Sequence, residues 1–545
     1  MKQVSSSSIL LCLALFFALL LACLTSCATV NSSSVSSDSV SSYSVSPEPL
    51  DDEYRNYYEI FVWSFFDTDN NGIGDFNGIT AKLDYIKEMG FNGIWLMPMT
   101  KGTSYHKYDV EDYYAVDPDF GTMEDFQNLL AEAHKRNINI IIDLVVNHTS
   151  SSNPWFIEAC DYIRANGQPG GTYGDYYNFQ QKSESGYTQV AGTNWYYESQ
   201  FTSTMPDLNL DSEQVKEQIV NIMKFWLDMG VDGFRLDATT SYYTNNKTKS
   251  IQFLGWLNEQ AKTIKSDCYL VAEAWYTNDV AVREYYDSGI DSCFCFPLAM
   301  ASGHIYDALK DIRANNGVVF GDMLKNAQDI YNIGIYAPFL SNHDTARIAS
   351  FMGRRQTDKI KMAQGLLSLQ SGCLFVYYGE EIGMISTADG SDPYKRIAMK
   401  WCDKNVYEGW CYTSPQGITV TKDNYYYSGV AEQEEDANSI LNYYKASLQI
   451  RNANPEIARG EVEVLESYYE QSKYCCVCKW TWNDSSVVAV VNLDREWEHN
   501  IVLDVASLGV TYMTDFLCTN ADSIVSYDSA SGTVTLAPYS YAIFR

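Results

Sequence analysis

Short apolar runs alternate with longer mixed stretches along most of the chain from residue 57 onward. Residues 58–63 and 93–97 are brief and mostly apolar, as strands buried on both faces are, and 79–89 between them reads as a helix. The alternation returns as a helix over 123–135, a strand over 138–146 and a helix over 212–229. It ends with a helix over 359–370, a strand over 373–378 and a closing helix over 439–452. Strands and helices taking turns predict an α/β fold on a parallel sheet. From about residue 460 the texture changes to short alternating runs, at 475–482, 487–492 and 533–536, bounded by turn residues. That pattern predicts an all-β C-terminal sandwich over 460–545.

Carboxylates at the strand ends count the repeats. Gly233-Phe234-Arg235-Leu236-Asp237 sets an arginine between apolar residues and ends on an acid. Glu273 follows 36 residues later in Val271-Ala272-Glu273-Ala274-Trp275, and Asp344 another 71 residues on in Ser341-Asn342-His343-Asp344. A (β/α)8 barrel spends roughly 30 residues on each strand–helix unit, so 36 is one unit and 71 is two. The three acids then sit at the carboxyl ends of strands four, five and seven, around the mouth where such barrels carry their chemistry. Asp237 stands 94 positions beyond Asp143, far more than one unit requires. The excess, 148–206, is rich in Gly, Asn, Ser, Tyr and Trp and predicts a small irregular domain inserted after strand three. The expected architecture is a (β/α)8 TIM barrel over 51–147 and 207–459, interrupted by this insertion.

The first fifty residues belong to none of this. Lys2 precedes an apolar stretch at 9–24, too short to span a bilayer and suited to a signal-peptide core. It ends in Leu24-Thr25-Ser26-Cys27, which resembles the lipobox of bacterial lipoproteins. That resemblance implies a signal peptide over 1–26, a lipid anchor on Cys27 and a place on the cell envelope. Residues 27–50, mostly Ser and Val, read as a flexible tether. With 69 acidic against 38 basic residues in 545, the net charge of −31 argues against nucleic acid or anionic lipid as partner. The 42 tyrosines and 12 tryptophans suit the flat faces of sugars. The 14 cysteines show no zinc-ligand spacing, and most read as small core residues.

One loop points to a metal. In Asp67-Thr68-Asp69-Asn70-Asn71-Gly72-Ile73-Gly74-Asp75, oxygen side chains alternate around a glycine turn. Asp67, Asp69, Asn71 and Asp75, with the Ile73 carbonyl, form a candidate calcium site. The twelfth position of an EF-hand would be Gly78 rather than Glu, so the loop belongs to another context.

Taken together, Asp143-x-x-x-Asn147-His148, Gly233 to Asp237, Ala272 to Trp275 and Phe339 to Asp344 resemble the four signature regions of glycoside hydrolase family 13, the α-amylase family. Met205-Pro206-Asp207-Leu208-Asn209 is similar to its fifth region, and Tyr377-Tyr378-Gly379-Glu380-Glu381-Ile382-Gly383 to a marker near strand eight. The resemblance runs from about residue 57 to 545. It implies Asp237 as nucleophile, Glu273 as general acid/base and Asp344 as the carboxylate that grips sugar hydroxyls. It implies Arg235 as the group keeping Asp237 ionised, His148 and His343 as hydroxyl binders, and Tyr108 as a platform beneath the sugar. It implies an α-glucan substrate, a lipoprotein-type α-amylase and a monomer, with a second ion near Asn147 and Asp207 as a further possibility. Relatives carry Lys-His at the third and fourth positions after the nucleophile; here stand Thr240 and Ser241, which leaves chain-length preference open. Pocket shape decides between a polymer hydrolase and an α-glucosidase or transglycosylase on short maltooligosaccharides. A dead barrel kept as a glucan-binding lipoprotein would have lost an acid, and all three are present.

Overall fold

The computed structural model describes Leu50 and residues 52–299, 303–310, 314–386 and 390–545. The leader, Cys27 and all of the tether but Leu50 lie outside them. Eight strands make the barrel: β1 Asn56–Ile60, β2 Gly93–Leu96, β3 Asn139–Leu144, β4 Gly233–Leu236, β5 Tyr269–Ala272, β6 Ser292–Phe294, β7 Ile335–Ala337 and β8 Leu374–Tyr377. All pairings are parallel, in the order β7-β6-β5-β4-β3-β2-β1-β8. The seam between β7 and β8 is closed by the Phe339–Phe375 bridge and by two backbone hydrogen bonds, from Cys373 to the Tyr336 carbonyl at 2.8 Å and from Phe375 to the Pro338 carbonyl at 3.0 Å. The two-unit gap before Asp344 is accounted for by β6.

Alternation along the strands explains how this barrel carries a site. Odd-numbered residues of β1 to β5 point inward. The lower inward layer is apolar: Tyr57, Trp95, Ile141, Tyr269 and Val271 pack with Phe294, Phe339 and Phe375 into one buried cluster. The Tyr57 ring lies 4.7 Å from that of Phe375 and 5.4 Å from that of Tyr269. It takes the space that Gly93 leaves, since a Cβ there would stand 2.5 Å from the ring. One step further toward the carboxyl ends, the inward residues turn polar: Glu59, Asp143, Arg235 and Asp237, then Glu273. Asp143 and Arg235 are direct cross-strand partners. A filled apolar floor thus shuts water out beneath a ring of charges.

The predicted helix over 79–89 is two, Phe76–Ala81 and Leu83–Met89, broken at Lys82. The first begins early because Asp75 caps it, accepting the Gly78 N–H. The insertion is more regular than its composition predicts. It holds a helix, Pro154–Asn166, capped by Asn153 and ended by Gly167 in the left-handed region, and a three-stranded antiparallel sheet. The Asn-Pro start and Gly stop were visible signals of that helix. The helices Lys247–Ile264 and Asn316–Tyr331 complete the outer ring beside those expected.

Two antiparallel sheets follow the barrel, one of five strands and one of three. Their inner faces enclose Cys475, Val477, Val488, Val490, Ile501, Val534 and Phe544, the sandwich expected from the alternating pattern. All eleven cysteines among the described residues are free, and all but Cys402 are buried. Among the described residues no helix is long and apolar enough to cross a membrane.

Beyond β8, the buried Glu380 braces the loop that bears His343 and Asp344: Ser341 donates to one of its oxygens, and Tyr444 to the other at 3.4 Å. Burial pushes its carboxyl up to about 8, against the pull of Ser341 and Arg347. A carboxyl raised on folding stabilises fully below its unfolded value, near 4.3, and loses that contribution as pH climbs to the folded value. Stability to urea should therefore fall between pH 5 and 8.5, by up to about 1.4 kcal/mol per pH unit for this group. The fall should be shallower in Glu380→Gln. Parallel pH profiles for the two proteins would show Glu380 to be ionised in the fold.

Candidate active site

One cation organises the barrel mouth. Arg235 is 1% exposed, and its guanidinium serves three carboxyl groups. Nη1 stands 2.5 Å from Asp143 Oδ1 and 2.5 Å from Asp237 Oδ1, while Nη2 stands 2.9 Å from Glu273 Oε1. A single buried positive charge cannot hold three negative ones without cost, because ions out of water must be paired. Burial pushes Asp143 up to about 7 and Glu273 up to about 8, in both cases against Arg235. At Glu273 the neighbouring Asp237 and Asp344 add to the rise.

The turn after β4 ties Asp237 to Glu273. Ala238 has φ 49°, the left-handed region that a residue with a Cβ rarely adopts. That conformation aims its N–H at Glu273 Oε2, 2.7 Å away. Thr239, fully buried, donates its hydroxyl to the Glu273 carbonyl at 2.6 Å. Three consecutive residues therefore present one acid to the cleft and fix the other.

Asp344 stands across the cleft in a different field. Arg396 Nη2 lies 2.7 Å from Oδ1 and His343 Nε2 2.8 Å from Oδ2. Burial opposes its charge, but these two cations hold its carboxyl well below the usual range. His343 touches a second carboxylate, Glu59, through Nδ1 at 2.6 Å. The Tyr108 hydroxyl lies 2.7 Å from His343 Nε2, and the two rings stack at 5.7 Å. His148 is kept neutral by burial, and its Nε2 has no partner among the described residues.

These groups surround a cleft of about 500 Å³. Asp237, Glu273, Asp344, Tyr108 and His148 are in its wall, with Thr240 and Ser241 beside them. Two exposed aromatic faces flank it, Trp275 stacked on Phe296 at 4.6 Å and Phe201 against His148 at 5.3 Å. Arg235 and His343 lie directly behind the wall rather than in it. Sequence reasoning missed Glu59 and Arg396. A lone charge inside the apolar run Tyr57-Tyr58-Glu59-Ile60-Phe61 was a signal for the first, whereas nothing in the pattern around Arg396 marks it.

The candidate metal loop sits apart from this cleft. Asp67, Asp69 and Asp75 each bring a carboxylate oxygen within 4.8 Å of the others. Asn71 turns its side-chain oxygen to the Ile73 N–H at 2.7 Å. Asp67 accepts from Asn70 and Gly72 N–H, both at 2.7 Å. Gly72, at φ 90°, has no room for a Cβ beside Tyr412 and Thr413. Segment 409–413 clasps the loop: Asp67 bridges Gly409, and Tyr412 donates to the Asn70 carbonyl at 2.8 Å.

Similarity to known proteins agrees with the geometry. Residues 59–460 match the pattern of the alpha amylase catalytic domain. Alpha-amylase 3 of Dictyoglomus thermophilum is 38% identical over 457 residues, covering 81% of this chain and 85% of that one. Oligo-1,6-glucosidase of Parageobacillus thermoglucosidasius is 30% identical over 526 residues, covering 81% and 90%. The solved structure of Eubacterium rectale Amy13B superposes with a TM-score of 0.85 at 42% identity, covering 91% of this chain and 96% of that one. With the barrel, its ring of carboxylates and most of its length matched in this way, the chain belongs to glycoside hydrolase family 13, the α-amylase family.

Proposed function

We propose that this glycoside hydrolase cleaves α-1,4-glucosidic bonds of starch or maltodextrins with retention of configuration, by double displacement. The observation that carries the reading is the Arg235 guanidinium, bound to Asp237 and Glu273 at once while Glu273 is pushed up to about 8. Asp237 lies nearer the cation, at 2.5 Å against 2.9 Å, and Glu273 retains a proton to give. Asp237 attacks the anomeric carbon as Glu273 protonates the glycosidic oxygen, and the leaving chain departs with that proton. Glu273, now a base, takes a proton from water, which attacks the glycosyl ester and frees Asp237. Asp344 and His148 Nε2 bind hydroxyls of the sugar being cleaved, and Tyr108 lies beneath it. The name of Alpha-amylase 3 supports the substrate class.

Asp237→Asn, Glu273→Gln and Asp344→Asn should each lower turnover on soluble starch by several orders of magnitude with the fold intact; acid–base catalysis alone is worth roughly 10²–10⁴. Near-normal hydrolysis by any one would remove its assigned role. Fresh product should be the α anomer by NMR, and initial β product would exclude double displacement. Because the acid must be protonated, kcat/KM should fall as pH rises through about 8, the value at Glu273.

Calcium is the ion that the loop at Asp67, Asp69 and Asp75 fits: three hard oxygens stand within 4.8 Å of one another, matching ligands about 2.3–2.6 Å from a shared ion. Its contribution is to hold the loop against segment 409–413, away from the reacting groups. Chelation should lower the melting temperature more than low-temperature activity, since a ligand of the folded state alone stabilises by mass action. Unchanged calcium stoichiometry in Asp69→Ala would remove the site.

Anchoring through a lipidated Cys27 rests on Leu24-Thr25-Ser26-Cys27 alone. Cys27→Ser should release the enzyme from the membrane fraction or block its processing, since an acylated cysteine with two or more chains supplies stable attachment. A wild-type protein whose mass shows no lipid would refute it.

A further inference from the structure

Glu59 is 1% exposed, stands on β1 in register with Trp95, and has no part in the chemistry described so far. We propose that it is a positioning residue: its carboxylate keeps the His343 imidazole doubly protonated, so that a fixed cation orders Tyr108 and Asp344 at the cleft wall.

A proton inventory leads there. His343 Nε2 faces Asp344 Oδ2 at 2.8 Å, and Asp344 is already paired with Arg396 at 2.7 Å. A carboxylate held by a guanidinium accepts and does not donate, so the proton of that contact belongs to Nε2. On the other side, Nδ1 meets Glu59 Oε1 at 2.6 Å. The same oxygen accepts the His343 backbone N–H at 3.3 Å, as a carboxylate oxygen does. Burial raises the Glu59 carboxyl and His343 draws it back down, so the second proton is placed on Nδ1. His343 has no exposed surface, so an imidazolium there requires both carboxylates. Other groups packed on the ring are the Trp95 edge at 5.6 Å, Tyr108, and Arg396, which donates to the His343 carbonyl at 3.2 Å. Burial works against the charge, yet Asp344 and Glu59 together push His343 up to about 9.

The consequence reaches the cleft through Tyr108. Its oxygen lies 2.7 Å from His343 Nε2 and 3.4 Å from Arg235 Nη1. Nε2 has one proton, shared between Asp344 and the Tyr108 oxygen, and a protonated Nε2 cannot accept the tyrosine's own proton, which is left to be offered outward. Loss of the Glu59 charge would let His343 become neutral, freeing its Nε2 to accept that proton and weakening its hold on Asp344. Glu59 thus acts from the far side of the ring, without touching substrate.

The proposal rests on Asp344 and Tyr108 as sugar-binding groups, but its primary test needs no sugar. The chain has six histidines, few enough for ¹⁵N-histidine NMR to resolve, with His343→Asn giving the assignment. In wild-type enzyme both His343 nitrogens should be protonated at pH 7.5, titrating near 9. Glu59→Gln, which keeps shape and an acceptor, should lower that titration by at least about one pH unit and reduce kcat on starch about ten- to hundredfold. Glu59→Asp should recover part of both. A neutral His343 in the wild type at pH 7.5 overturns the proposal, whether or not the variants fold. So does a Glu59→Gln enzyme with an unchanged imidazolium and kcat within about twofold of wild type. If the wild type left starch intact while His343 titrated as expected, the substrate reading would fail and the role of Glu59 in setting the ring's charge would stand.

Discussion

Everything at the mouth of this barrel depends on Arg235 being one charge among three carboxyl groups. The constraint is electrostatic: in a buried site a guanidinium satisfies its nearest carboxylates, and the surplus negative charge is relieved by keeping a proton. Asp143, Asp237 and Glu273 come from adjacent strands, so the parallel register itself fixes who competes for the cation. The left-handed turn at Ala238 then gives Glu273 a further bond without adding a charge. The acid is set apart by burial and by the carboxylates of Asp237 and Asp344 beside it, with no difference in chemical type from the nucleophile.

Across the cleft the allocation is reversed. Asp344 faces two cationic groups, Arg396 and His343, and has no need of a proton. The site therefore contains carboxyl groups at opposite ends of the titration range within one cavity of about 500 Å³. The apolar floor of Tyr57, Trp95 and Phe375 makes this possible, because the same charges in water would be screened toward their ordinary values.

Much of this was legible in the sequence, for definite reasons. Spacing of 36 and 71 between strand-end acids counted barrel units correctly, because each unit has nearly fixed length. The motif residues Asp237, Glu273, Asp344, Tyr108 and His148 all reach the cleft. What spacing could not show is which side chains stand behind the wall: His343 was expected to meet sugar and is instead enclosed between Glu59 and Asp344. Arg396 arrives from a segment with no periodic signal, so only the folded chain brings it to Asp344. The insertion's helix was missed although Asn153, Pro154 and Gly167 announced its ends, since composition was read there in place of local caps.

The seam between β7 and β8 divides the site into two parts of different reach along the chain. The Arg235 cluster is built within 143–273, on three neighbouring strands far from the seam. The Asp344 cluster joins Glu59 on β1 to a loop after β7 and to Arg396 beyond β8, so its members meet only when the ring of strands is shut. Two backbone hydrogen bonds, Cys373 to Tyr336 and Phe375 to Pro338, hold that joint, fewer than the longer ladders between the other strands of the site. Local openings start where the fewest contacts must break. Fluctuations of the seam would thus scatter the sugar-gripping groups while leaving acid and nucleophile assembled, and catalytic competence becomes a direct readout of barrel closure.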